Sequence, residues 1–335
     1  MPWYIARFTK RPGRPDLITE ERGLEHRIDP ERIHHGWDRA LEPSLRIASG
    51  DTVHFDLLMA GHGQVREGDT YEQTNFDFDT LYNLLGPVYV EDARPGDTLR
   101  VDILALDPGD WGWCVILPEL GTLPDEFPGG YLRTFDLRND RDAELVPGVR
   151  IPFAPFLGTM GTHPDDPPTA PAFPPHKGGG NIDTRHLTVG STLWLPIWCE
   201  GALFSCGDPH AMQGDGEVCV AALECDMSAS LRFTVEPRSI VAPYFRTAGP
   251  LTPRTEGAGH QGAMGIAADL MEGARAAVSA MVRWISEEHG LSREDAYMLC
   301  SLAGDLKILE VVDAGMWNVG LTLPLSVFVD QEGTA

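Results

Sequence analysis

The sequence predicts an α+β protein, mainly β, in which β-sandwich or barrel units are followed by a C-terminal helix pair. Three observations predict it. Turn residues repeatedly introduce short alternating runs, 36 glycines and 27 prolines punctuate the 335 residues, and a helical period emerges only late in the chain.

The first alternating run is Gly50-Asp51-Thr52-Val53-His54-Phe55-Asp56-Leu57, where turn residues precede Val53, Phe55 and Leu57 on one face. The construction returns at Gly96-Asp97-Thr98, with Leu99, Val101 and Ile103 inward, and more loosely at Gly190-Ser191-Thr192-Leu193. These read as antiparallel strands with one wet face. The middle, from Pro118 to Pro175, has little regular pattern and reads as long loops. Its segment Phe153 to Thr162 is rich in apolar and small residues and is a candidate pocket wall. Val218 to Leu223, Ser230 to Val235 and Leu321 to Val329 read as further strands. Ile266, Leu270, Ala274, Ala277, Met281 and Ile285 recur at helical spacing, and Ser292 with Asp295 has the spacing of a capping box for a second helix. The expected organisation is an N-terminal extension over 1–41, a β-rich catalytic region over 42–240 and an α+β region over 241–335.

Composition narrows the function. The formal charge is -24, and residues 1–50 hold 9 Lys and Arg against 8 Asp and Glu, so the acidity belongs to the remainder. Such a surface repels phosphate backbones and anionic lipid, which argues against nucleic-acid and membrane partners. The first residues lack the apolar core of a signal peptide, and a cytoplasmic location is expected. Six cysteines without a Cys-x-x-Cys pair read as reduced core thiols.

The stretch from Gly178 to Glu224 looks built for chemistry. It concentrates carboxylates, amides and a histidine among glycines, which let a backbone approach a ligand closely. Asp208 and His210, two apart on an extended segment, point to one side and suit a grip on a divalent metal, with Asp183 a possible third ligand. A turn built on Asp208 with a hydrogen-bonded His210 is the other reading. Glu217 follows a polar turn, and Glu224 sits in an apolar run where a carboxylate is costly unless paired or used; either can move protons, although Glu224 can also face solvent at a strand end. Asn181 and Gln213 offer amides for a substrate carbonyl.

Gly179-Gly180-Asn181-Ile182-Asp183, then Gly190 to Pro196, then Gly207-Asp208-Pro209-His210-Ala211-Met212-Gln213-Gly214-Asp215-Gly216-Glu217 resemble the acetamidase/formamidase family in order and spacing. The resemblance extends upstream to Gly86-Pro87-Val88-Tyr89-Val90-Glu91 and downstream to Asp305-Leu306-Lys307-Ile308, covering roughly residues 42–328. It implies a β-rich homo-oligomeric enzyme that hydrolyses the C–N bond of a small amide with a divalent metal at its site. Zinc held by Asp183, Asp208 and His210 is the expected cofactor. The family's acidic residue ahead of a Gly-Gln pair is here Met59, before Gly63-Gln64, so Met59 and Gln64 join the substrate-binding candidates and a substrate less polar than formamide is expected. A small lactam is the alternative substrate, and a catalytically silent ligand-binding member of the family the alternative function.

Overall fold

A computed structural model describes residues 23–139, 141–249, 259–312 and 315–329. It is mainly β, with large antiparallel pairings and two C-terminal helices. The N-terminal strands are β1 (Glu25–Arg27), β2 (Ile33–His34), β3 (Gly36–Asp38) and β4 (Leu45–Ile47), followed by β5 (Thr52–Leu57), β6 (Leu84–Val90) and the long β7 (Thr98–Ile116). The middle contributes β8 (Tyr131–Asp136), β9 (Asp142–Val146), β10 (Val149–Pro152), β11 (Phe156–Thr162) and β12 (Thr169–Pro171). Then come β13 (Gly179–Asn181), β14 (Thr192–Pro196), β15 (Phe204–Met212), β16 (Leu223–Glu236) and β17 (Tyr244–Arg246). The backbone of the main sheet runs β13-β11-β15-β16-β7-β14-β17, with β5 and β6 joined to its flanks.

The alternation read from the sequence is what the sheet uses. Val53, Phe55 and Leu57 are buried, as are Leu99, Val101 and Ile103, while their neighbours on β5 alternate outward. The central β11 and β15 are buried at every residue, and strands covered on both faces carry no alternating signal. This is why β11 gave no strand signal; β8, β9, β10 and β12, also read as loops, are short strands of three to six residues with exposed or half-buried positions. Conversely, Val218 to Ala222 is a turn rather than a strand: Glu217 and Val220 take positive φ (44° and 80°), which an extended ladder does not accept. Residues 25–38 pair with β5, β6 and β12, and Tyr244–Arg246 pairs with β14, so the sheet runs across both expected region boundaries.

The C-terminal strands β18 (His260–Ala267), β19 (Asp305–Glu310) and β20 (Trp317–Pro324) form a separate antiparallel sheet in the order β18-β20-β19. Helix α1 (Leu270–His289) buries Ala274, Ala277, Met281 and Ile285, as its periodicity predicts. Ile266, placed by that periodicity on the same helix, lies in β18; Asp269 stops the strand by accepting hydrogen bonds from the Met271 and Glu272 amides and so sets the helix start. Ser292 caps α2 (Arg293–Ala303) by accepting from the Asp295 amide at 3.0 Å. Residues of α1, α2 and β20 share one apolar core with the main sheet. No helix among the described residues is long and apolar enough to cross a membrane.

Asp51 closes the turn before β5. It is buried and accepts from the Leu24 amide (2.8 Å), the Ala48 amide (2.9 Å) and the His26 ring (2.9 Å). Burial pushes its pKa up, but these donors outweigh it and hold the carboxyl below its usual value of 3.8. Because the folded pKa is the lower one, the contribution to stability is full above the unfolded value and disappears as the pH falls through the folded value. Asp51→Ala should therefore cost about 1–3 kcal/mol at neutral pH, and the gap to wild type should narrow in denaturant titrations below about pH 4. A gap that stays constant down to pH 2 would reject this account.

Candidate active site

Five ionisable side chains meet where β11, β13, β15 and β16 converge. Asp208 and His210 lie on β15, and Glu224 lies directly across from His210 in the β15–β16 pairing. Asp183 follows β13, whose glycines let it run closely beside β11, and Glu217 is delivered by the turn between β15 and β16. Asp183, Asp208 and His210 offer ligand atoms within 4.8 Å of one another, and so do His210, Glu217 and Glu224. His210 Nε2 is 3.4 Å from Asp208 Oδ1 and 3.2 Å from Glu224 Oε2. The segments thus bring together all five residues singled out as metal ligands or proton carriers.

Gly158 of β11, which sequence reasoning did not single out, forms the back of this cluster. A Cβ there would lie 2.5 Å from Asp183 Oδ1, 2.7 Å from Asp208 Oδ2 and 2.7 Å from His210 Cε1. Three side chains converge on a point that only glycine leaves open. Its signal in the sequence was its place in the small-residue segment 153–162, too weak to separate it from Gly161. The Asp183 Oδ1, the Glu224 Oε2 and both ring nitrogens of His210 are buried without a hydrogen-bond partner. Buried oxygen and nitrogen donors left unmet around a common space have the donor chemistry of a divalent-cation site, and zinc accepts this set.

The backbone is bent to achieve this. Asp183, Asp208 and Glu217 all have positive φ (40°, 55° and 44°), a conformation costing non-glycine residues on the order of 1–3 kcal/mol each unless the surroundings enforce it. Asn181 accepts from Thr159 Oγ1 at 2.6 Å and donates to Asp183 Oδ2 at 3.0 Å. Gln213 donates to the Asp183 carbonyl at 3.0 Å. Both amides thus hold Asp183 in position. Arg185 pairs with Asp305 (3.0 Å) and Asp215 (3.3 Å), tying the Asp183 loop to β19. The turn carrying Glu217 rests on α2: the Tyr297 hydroxyl donates to the Val218 carbonyl, and Ser301 Oγ donates to the Ala221 carbonyl at 2.8 Å while accepting from the Cys219 amide at 3.2 Å.

Electrostatics follow from crowding. Burial, then the charge of Asp208, pushes Asp183 up to about 8. Burial, then the charge of Asp183, raises Glu217 well above the usual carboxylate range, and burial also raises Glu224. Burial disfavours the His210 imidazolium, yet Glu224 and Asp208 more than offset this and raise its pKa. Four carboxylates against one imidazole is an arrangement that stores protons or holds a cation.

Asp183, Asp208, Glu217 and Glu224 form the floor of a pocket whose walls are apolar and aromatic, with Phe76, Phe78, Tyr82, Trp113 and Phe173 among them. Met59 is buried in the core, is not among the residues lining this pocket, and hydrogen-bonds through its backbone, to Asp226 (2.8 Å), Asn83 (2.9 Å) and the His62 amide (3.3 Å). Its neighbour Ala60 lines the pocket instead. Gln64 accepts from the Asp77 amide at 2.7 Å and so fixes the loop bearing Phe76 and Phe78. Phe153, Phe156 and Met160 are also core residues; Phe156 meets the His210 ring edge-on at 5.0 Å and orients it from behind. The wall-forming aromatics were visible as Phe76-Asp77-Phe78, an alternation inside a polar loop, but alternation alone does not say that a loop folds over a site.

The chain matches the Acetamidase/Formamidase family over residues 22–170 and 167–330. It is 27% identical over 247 residues to an acetamidase of Mycolicibacterium smegmatis, a match covering 55% of this chain and 61% of that protein. It is 27% identical over 242 residues to a formamidase of Methylophilus methylotrophus, covering 56% and 60%. The match thus spans about three-fifths of the length of these curated relatives. Among solved structures, a gamma lactamase from Delftia acidovorans superposes with a TM-score of 0.83 over 91% of this chain and 93% of that one, at 23% identity, a likeness of fold. An acetamidase from Bacillus halodurans superposes with a TM-score of 0.63 at 30% identity, over 90% and 98%. With both halves of its length matched by the family model, and with the acidic cluster formed by the motifs that carry the resemblance, the chain belongs to the acetamidase/formamidase family.

Proposed function

We propose that the protein hydrolyses the C–N bond of a neutral amide, with Asp183, Asp208 and His210 holding a divalent metal, zinc by donor preference, and Glu217 acting as the base. The observation that carries the reading is the convergence of Asp183, Asp208 and His210 on the space that Gly158 leaves open, with Asp183 Oδ1 and both His210 ring nitrogens buried and without a hydrogen-bond partner. A metal in that place supplies polarisation of the amide carbonyl and acidification of water. The protein's own residues do the rest. Glu217 takes a proton from the attacking water as its oxygen bonds to the carbonyl carbon, then gives that proton to the nitrogen as the C–N bond breaks, releasing ammonia and a carboxylate.

Glu217 suits the base better than Glu224. Glu224 Oε1 accepts from the Ala222 amide at 3.2 Å and Oε2 is ion-paired with the His210 ring at 3.2 Å, whereas burial and neighbouring charges act on Glu217 without either kind of partner. Glu224 holds His210 across the strand pair, and Asn181 and Gln213 hold Asp183, so these three are positioning residues.

Purified protein should contain about one divalent ion per chain by elemental mass spectrometry, and should lose ammonia release on chelation and regain it with zinc. Full activity in metal-free protein would sink the reading. Glu217→Gln should lower kcat by roughly a hundred- to ten-thousand-fold with bound metal retained, whereas Glu224→Gln should lower metal content as well. Gly158→Ala should abolish metal binding, because its methyl occupies the space between the ligands; normal metal content in that variant would show that the ion sits elsewhere.

A further inference from the structure

Charge lies on the floor of the pocket, and its walls are rings. Phe76 tilts against Trp113 at 5.6 Å, and Tyr82 meets Phe173 edge-on at 6.0 Å. Both pairs border the same space, together with Phe78. The cavity bordered by these rings and the carboxylates is about 460 Å³, open solvent at its mouth included. Rings on several sides of it suit a planar ligand, which can stack on them or meet them edge-on. Phe78 and Phe173 stand at this pocket 55% and 48% exposed, so two apolar rings are left to water beside a cluster of carboxylates. Apolar surface in that position is stabilised when a ligand covers it, and aromatic faces favour stacked or edge-on rings.

We propose that the substrate class, on the hydrolase reading above, is the neutral amide of a flat apolar acid, an aryl carboxamide whose ring enters between Phe76, Phe78, Trp113 and Phe173 while its amide reaches the carboxylate floor. Four carboxylates below and the acidic surface around them disfavour an anionic acid. Formamide and acetamide reach the floor and leave the walls uncovered, so they forgo the binding energy that the rings supply. Gln64 and Thr80 serve this arrangement from behind. Gln64 fixes the Asp77 backbone between Phe76 and Phe78, and Thr80 Oγ1 donates to Asp77 at 3.0 Å.

The test compares kcat/KM for formamide, acetamide, butyramide, benzamide and a small lactam in the full-length metal-loaded enzyme, its Phe78→Ala and Phe173→Ala variants and the double variant. Wild type should prefer benzamide to acetamide at least tenfold, and the double variant should reduce the benzamide-to-acetamide ratio at least tenfold. A preference for formamide or acetamide, a clear preference for the lactam, or an unchanged ratio in the double variant overturns the proposal. Failure of every linear amide to release ammonia, together with failure of the lactam ring to open, is a failure of the hydrolase reading. The aromatic pocket is then judged by binding alone, with benzamide titrated by calorimetry: saturation in the wild type that is weakened at least tenfold in the double variant upholds it, and no saturation, or saturation weakened less than that, overturns it.

Discussion

The structure is organised around an electrostatic difficulty: four carboxylates and one histidine share a space largely closed to water. Burial raises the pKa of Asp183, Glu217 and Glu224, and neighbouring carboxylates raise it further, so the cluster does not carry its full charge without a cation or protons. Folding alone does not favour such an assembly, and left without a counter-charge it destabilises the very strands that form it. The surrounding structure holds these groups together against that cost.

That support is distributed over the whole length of the described chain. The β11–β15 and β15–β16 pairings fix Asp208, His210 and Glu224, and β11 and β15 are buried at every residue. Asp183 and Glu217 lie outside the strands and depend on the C-terminal elements. Arg185 links the Asp183 loop to Asp305, while Tyr297 and Ser301 brace the Glu217 turn from α2. Gly214 passes so close to α2's end that a Cβ there would fall 1.9 Å from the Gly304 carbonyl oxygen. The α+β unit is thus part of the site's support, and its common core with the sheet gives that support rigidity.

What was legible in the sequence depended on how local its physics is. Alternation told the faces of β5 and β7, and capping chemistry told the start of α2, because both are decided by residues a few positions apart. The five members of the charged cluster were legible because buried acids among glycines have few other uses. Strands buried on both faces were not, since β11 has no polar side to reveal its period. Ile266 was misplaced because a helical spacing continued by chance past Asp269, where the capping bond ends it. Met59 occupies a family position, but its side chain is turned into the core, and position in a motif carries no information about direction. Gly158 was hidden for a simpler reason: the need for glycine arises from three side chains remote in sequence.

The contrast between floor and walls has one further consequence. A water-filled approach would screen the carboxylates from one another and weaken both metal affinity and polarisation of a bound carbonyl, since a unit-charge interaction falls several-fold between protein-like and aqueous surroundings. Aromatic walls limit that water. Trp113 illustrates the selection: its indole N–H is buried without a partner, a cost of about 1–3 kcal/mol, yet the strand position opposite Glu224 keeps the ring there. The residue paired with a catalytic strand is thus also a wall of the pocket. A large flat side chain at that register both excludes water from Glu224 and presents a face to whatever enters, so the same pairing that builds the charged floor fixes the shape of the space above it.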